Sequence, residues 1–147
     1  MLKSKNELIV LGFDFGLKHI GIAVGQSVTK TAQPLTSLRA YHGEPRWEDI
    51  EVLVNTWQPN IFVVGLPLNM DGTSQFITDK AKEFANSLQQ RYDLPIYTID
   101  ERLSTVEAKD QLFTKHGFKG LNKKNIDSFA AKLIVEDWLK QIKDDNE

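Results

Sequence analysis

Three carboxylates lie where the sequence pattern changes, and together they could hold a metal ion. Asp14 closes an apolar run and is followed after one residue by Gly16, which permits close backbone approach. Glu101 comes just after a short apolar segment at residues 95–99, and Asp127 lies in the first turn of a predicted helix. A charged group at the end of an apolar strand is unfavourable unless it is paired or binds a cation.

If the fold brought the three carboxylates together, they would repel one another unless a divalent cation neutralised them. Oxygen ligands of this kind suit Mg²⁺ or Mn²⁺. Two such ions can activate a water molecule and stabilise the leaving oxygen in phosphodiester cleavage. Each residue alone also has a purely structural interpretation. Asp14 could shape its turn, and Asp127 could stabilise the N-terminus of its helix. Glu101 could pair with Arg102, so only convergence would make a site.

A basic stretch at residues 102–126 could attract phosphates to such a site. It contains six basic and two acidic residues, a net charge of +4, in a chain whose formal net charge is −2. Such a patch next to acidic residues favours nucleic-acid binding, although a solvated face would have the same composition. The candidate substrate-binding residues in this stretch are Arg102, Lys109, Lys119, Lys123 and Lys124.

The elements that must position these residues can be predicted from apolar periodicity. Strands are predicted at residues 7–15, 20–24, 34–39, 61–66 and 95–99. Helices are predicted at residues 47–57, 104–115 and 125–142. A further helix is predicted to begin after an N-cap at Thr73. The last helix is expected to turn Ile126, Phe129, Ala130, Leu133 and Trp138 inward. This order predicts an α/β fold with a mixed sheet of about five strands, an antiparallel opening hairpin and helices on both faces.

Composition restricts the class of protein further. The chain of 147 residues fits one domain, 1–147, with a frayed tail at 143–147. It has no cysteine, which excludes disulfides, thiol nucleophiles and cysteine zinc sites. No apolar run approaches the roughly 20 residues of a membrane span, so we expect a cytoplasmic protein with no membrane partner. His19 and His116 could be general acids, but scattered histidines fit surface positions better.

Four blocks of the sequence carry a resemblance to a known family. They read DFGLKHIGIAV at residues 14–24, VGLPLNMDGT at 64–73, DERLST at 100–105 and KNIDSFAA at 124–131. In this order, and over nearly the whole chain, they resemble the YqgF/RuvX family. The resemblance implies an RNase H-like fold and a nuclease that matures the 5′ end of the 16S ribosomal RNA precursor.

The resemblance also implies roles for particular residues. Asp14, Glu101 and Asp127 match the acidic triad of the family and would bind Mg²⁺ or Mn²⁺. Asn69, in the loop at 66–73, could touch substrate or shape the turn. Many relatives carry a further acidic residue just after the second strand, where this chain has Gly25-Gln26.

Three functions follow from these observations and stay open at the level of sequence. The leading one is a metal-dependent endonuclease on RNA, with the ribosomal RNA precursor and the ribosome as partners. The second is a Holliday-junction resolvase on four-way DNA, and the third is a non-catalytic RNA-binding module in ribosome assembly. We expect a monomer or a weak homodimer; a resolvase would need a symmetric dimer, because it must present two sites at once.

Overall fold

The structure, a computed structural model, describes residues 7–67, 76–100 and 123–146. The strands are β1 (Ile9–Asp14), β2 (His19–Gln26), β3 (Thr31–Tyr41), β4 (Glu44–Pro45), β5 (Ile61–Leu66) and β6 (Ile96–Asp100). The helices are α1 (Trp47–Trp57), α2 (Phe76–Tyr92) and α3 (Lys123–Asn146). The six strands form one sheet in the order β4-β3-β2-β1-β5-β6. β1 to β4 are antiparallel neighbours, whereas β1, β5 and β6 are parallel.

The predicted mixed sheet with helices on both faces is confirmed, with two differences in the strands. The described part of the sheet has six strands rather than about five, because β4 has only two residues, too few for a periodic signal. β3 is also longer than the predicted 34–39. The β2–β3 pairing has a register shift beside Ile22 and Ala23. This shift interrupts the alternation of side chains between the two faces of the sheet, from which the extent of β3 would be predicted. The predicted N-cap Thr73 and the helix at 104–115 lie outside the described residues.

One face of the sheet packs against α1 and α2 through an aromatic core. Phe13 of β1 contacts Phe62 of β5 and Phe84 of α2, with ring centroids 5.9 and 5.3 Å apart. Trp47 of α1 stacks on Phe84 at 5.7 Å. Every second residue of β1 belongs to this core, so the residues between them must face the other side of the sheet.

The other face is covered by α3, which approaches the strands closely because glycines lie beneath it. A Cβ atom added to Gly21 would lie 2.0 Å from the carbonyl oxygen of Asp127. One added to Gly12 or Gly25 would lie 2.1 or 2.4 Å from a methyl group of Val135. Three strand positions therefore need glycine at this distance between helix and sheet.

The face of α3 that contacts the sheet matches the predicted one in part: Trp138 is buried as expected, in the cluster that joins the helix to the sheet. Ile126, Ala130 and Leu133 are buried as expected, but Ala130 and Leu133 form a separate small cluster with Phe129. The sheet glycines meet the next row of the helix: Asp127, Ala131, Val135 and Leu139. In that row Ala131, Val135 and Leu139, with Ile134 and Trp138 beside them, recur at helical spacing, so apolar periodicity does indicate this face, and only Asp127 departs from the pattern.

The length of α3 and its character also bear on the sequence predictions. The helix extends from Lys123 to Asn146, beyond the predicted end at residue 142 and into the tail at 143–147. No helix in the described part of the chain is long and apolar enough to cross a membrane. The single-domain organisation over 1–147 stays a prediction.

Candidate active site at the carboxyl ends of the central strands

The structure brings Asp14 and Asp127 together at Gly21: Asp14 lies beside this glycine in the sheet, and Asp127 lies above it on α3. Asp14 is the last residue of β1 and is paired with Gly21 of the antiparallel strand β2. The missing Cβ of Gly21 points at α3, where it would lie 2.9 Å from the Cβ of Asp127. Directly paired residues of antiparallel strands point to the same face of a sheet. The side chain of Asp14 therefore faces α3 next to Asp127, which lies about one turn after the start of the helix and not in its first turn as predicted, because the helix begins at Lys123.

The glycine decides how close the two carboxylates lie. Because Gly21 has no side chain, the backbone of Asp127 rests on β2 itself rather than on a layer of side chains. Asp127 is 5% exposed, and Asp14 is half-buried. In this site Asp127 is enclosed by the helix and the sheet, and Asp14 borders solvent.

Ser37 of β3 is a third polar residue of the site, and the sequence analysis missed it. It is paired with Gly21 on the side opposite Asp14, and its Oγ donates a hydrogen bond to Oδ2 of Asp127 at 3.3 Å. Asp14, Gly21 and Ser37 therefore form one row across three strands, with Asp127 above its centre. A serine in a strand has no distinguishing signal, and only the pairing register reveals its position.

The Ser37 hydrogen bond should orient Asp127 only weakly. Its length of 3.3 Å exceeds the usual range of about 2.5–3.0 Å for an O–H···O bond. We therefore expect Ser37→Ala to reduce the cleavage rate by less than tenfold and the free energy of unfolding by about 1 kcal/mol or less. Single-turnover cleavage and urea unfolding measure the two effects. A loss of more than a hundredfold with the fold intact would contradict this subordinate role.

Glu101 lies outside the described residues, but the strand before it is described. β6 ends at Asp100 and runs parallel to β5 and β1, with Ile99 paired with Gly65 and Gly65 paired with Asp14. The carboxyl ends of the three parallel strands thus lie at one edge of the sheet. Open α/β sheets form their binding sites at such an edge. The placement of Glu101 beside the other two acids stays a prediction.

The predicted substrate-binding residues are largely outside the described part of the chain. Asn69, Arg102, Lys109 and Lys119 all lie there. Lys123 and Lys124 are the first two residues of α3 and precede Asp127 by about one helical turn. The end of the helix that carries the two lysines is therefore the end that carries the acidic site.

The donor atoms of the described residues fit a hard divalent cation. Two carboxylates are what a Mg²⁺ site usually takes from the protein, with water and substrate phosphates as the remaining ligands. A cation would also compensate the repulsion between an enclosed acid and its neighbour. The described residues contain no group of three or more His, Asp or Glu side chains that could hold a metal ion, and the third predicted ligand is outside them.

The family model for RuvX, described as a Holliday junction resolvase, matches residues 8–141. The chain belongs to the RuvX family. A relative from Glaesserella parasuis, named "Putative pre-16S rRNA nuclease", is 54% identical over 132 residues, which are 90% of this chain and 96% of the relative. A relative of the same name from Haemophilus ducreyi is 52% identical over 129 residues, covering 88% and 94%. The predicted family and the predicted class of activity, a nuclease, are confirmed.

Solved structures confirm the fold class of this RuvX-family chain. RuvC of Thermus thermophilus in complex with Holliday junction substrate matches with a TM-score of 0.54 at 15% identity, over 92% of this chain and 96% of that one. The fowlpox virus resolvase in complex with Holliday junction DNA matches with a TM-score of 0.56 at 10% identity, over 92% and 99%. At these identities the likeness shows the RNase H-like fold alone.

Proposed function

We propose that this RuvX-family chain is a metal-dependent endonuclease that cleaves phosphodiester bonds in the 5′ maturation of the 16S ribosomal RNA precursor. The observation that carries the proposal is the meeting of Asp14 and Asp127 over Gly21, at the edge where the parallel strands end. The family and the names of the relatives support the same activity. In this proposal Asp14, Glu101 and Asp127 are the catalytic residues.

The same three carboxylates would hold Mg²⁺ or Mn²⁺. When bound, such an ion lowers the pKa of a coordinated water molecule and stabilises charge on the phosphate and the leaving oxygen. The surrounding residues set up this arrangement. The packing of Asp127 between α3 and the sheet excludes water from one side of the site, and Ser37 restrains its carboxylate. Lys123 and Lys124, at the start of α3, would hold the backbone of the nucleic acid, as would the basic residues of the preceding segment.

The partners follow from the activity. The substrate is RNA in the ribosomal precursor, which makes the ribosome a further partner and the cytoplasm the place of action. Hydrolysis of one strand needs one acidic site, and the described part of each chain carries one such site. We therefore propose that a monomer, or a weak homodimer, is the active form.

The direct test is incubation of the purified protein with a precursor fragment that spans the 5′ end of 16S ribosomal RNA. We expect cleavage in the presence of Mg²⁺ or Mn²⁺ and none in EDTA. A matched four-way DNA junction is incubated in parallel. Cleavage of the RNA without a divalent ion, or cleavage of neither substrate with one, would contradict the proposal.

A Holliday-junction resolvase is the second candidate, since that is the description of the family. Symmetric cutting of a four-way junction needs two sites at once, and so a two-fold dimer. Sedimentation of the protein with the junction distinguishes the two candidates. A stable dimer that resolves the junction and leaves the RNA intact would favour the resolvase.

A non-catalytic RNA-binding module would keep the fold without using the carboxylates. Titration calorimetry with Mn²⁺, on the wild-type protein and on Asp14→Asn, tests this candidate. The endonuclease requires metal binding that the substitution weakens. RNA binding without any metal binding would favour the module.

A further inference from the structure

We propose that Arg39 and His19, here called the Arg39–His19 pair, bind a phosphate of the substrate strand beside the two carboxylates. The inference rests on the proposed nuclease function and adds a substrate contact to its site. Nothing in the basic stretch at 102–126 is involved, because these two residues come from β3 and β2.

The Arg39–His19 pair lies next to the row of Asp14, Gly21 and Ser37. It is nearer to the end of the sheet at which the parallel strands finish. His19 is paired with Arg39, just as Gly21 is paired with Ser37 two residues further along. The residues in between, Ile20 and Leu38, belong to the core on the opposite face. Side chains of a strand alternate between faces, so His19 and Arg39 lie on the face that carries Asp127.

The two side chains are close neighbours. The backbone N–H of Ala40 donates to the carbonyl oxygen of Lys18 at 2.7 Å. The next pair, His19 with Arg39, is therefore a non-hydrogen-bonded pair of the antiparallel ladder. Residues in such pairs have Cβ atoms roughly 4.5–5.5 Å apart. The imidazole and the guanidinium are therefore neighbours on the surface. They lie about two residues along the strand from the row that contains Asp14.

The charge of Arg39 is available to a ligand. The side chain is exposed, and the ion pairs within the described residues involve Arg46 and Lys80 instead. A guanidinium presents several N–H donors in a plane that matches two phosphate oxygens. An exposed arginine with no ion pair among the described residues, on the edge that also carries two acids, is suited to a phosphate that approaches those acids.

His19 is half-buried, and its Nδ1 is buried without a hydrogen-bond partner among the described residues. A buried N–H without an acceptor is less well tolerated than a buried lone pair. The tautomer with its proton on Nε2 is thus favoured, which leaves a donor on the opposite edge of the ring. The expectation that scattered histidines fit surface positions stays a prediction for His19, which is half-buried on the face that carries Asp127.

The test measures binding without cleavage. Fluorescence anisotropy with a labelled single-stranded RNA of about 20 nucleotides, in EDTA, gives the affinity at several salt concentrations. Each phosphate contact to a single strand contributes about 0.7 to the slope of log affinity against log salt. Arg39→Ala should therefore lower the slope by about 0.7 and the affinity at 0.1 M salt about fivefold.

Conservative variants separate the phosphate contact from general effects. Arg39→Lys should keep the slope. His19→Ala should weaken binding roughly threefold, and His19→Gln, which retains an N–H donor, should bind more tightly than His19→Ala. Lys140→Ala removes the same charge from an exposed position on α3 about 20 Å from Asp127, and it should leave slope and affinity unchanged.

The affinity for a DNA strand of the same sequence should fall by the same factor in Arg39→Ala, because the contact is to phosphate. An Arg39→Ala protein that binds with unchanged slope and affinity, or one no weaker than Lys140→Ala, would overturn the inference. The outcome is separable from the proposed function, which is tested by metal-dependent cleavage. Cleavage can fail while the Arg39 contact is found, or the reverse.

Discussion

Asp14→Asn should abolish cleavage while the protein stays folded. The substitution removes a charge of the proposed metal site at nearly constant volume, and Asp14 lies beside the enclosed Asp127. Loss of transition-state stabilisation by several kcal/mol lowers the rate by about 10³-fold or more. The free energy of unfolding in metal-free buffer should change little, because asparagine has nearly the volume of the aspartate that it replaces. Single-turnover cleavage with Mn²⁺ and urea unfolding measure the two quantities.

The matched control is Asp93→Asn, which removes one acidic charge far from the site. Asp93 is exposed and follows α2, at the edge of the sheet opposite Asp14. Its φ of +52° is a conformation that asparagine adopts readily. This variant should cleave at the wild-type rate. If Asp14→Asn cleaves as fast as Asp93→Asn, Asp14 is not a catalytic residue.

Gly21→Ala should damage both stability and cleavage, through the backbone of α3. The new methyl group would lie 2.0 Å from the carbonyl oxygen and 2.3 Å from the carbonyl carbon of Asp127. A backbone cannot rotate away as a side chain can, so the first turn of the helix must move. Overpacking of this kind costs about 3 kcal/mol. A displacement of about 1 Å in a catalytic group can lower the rate about 100-fold.

Gly25→Ala separates the effect on stability from the effect on the site. Its methyl group would meet a side-chain methyl of Val135, two turns of α3 beyond Asp127. We expect it to lower the free energy of unfolding by about 1–3 kcal/mol but to leave cleavage near the wild-type rate at temperatures where the protein is folded. Equal cleavage rates for Gly21→Ala and Gly25→Ala would show that the glycine does not position Asp127.

Much of the fold could be predicted because it depends on local patterns. The buried strand at 61–66 and the helix at 47–57 have continuous or periodic apolar residues, and both match the structure. β4 and the ends of β3 could not be predicted in the same way. β3 is interrupted by a register shift in its pairing with β2, and the two-residue strand β4 gains its stability from its partner β3 rather than from its own residues.

Local sequence was enough to identify the residues that could do chemistry and, through four motifs, the family of the chain. The sequence predicted Asp14 and Asp127 as site residues, because a carboxylate at the end of an apolar strand or in a helical turn can be recognised from its neighbours in the chain. The meeting of the two over Gly21, with Ser37 and Arg39 beside them, is seen only in the three-dimensional arrangement. These relations depend on which strands pair and on how closely α3 approaches the sheet. Both are properties of contacts between residues distant in the chain, for which the local sequence carries no signal.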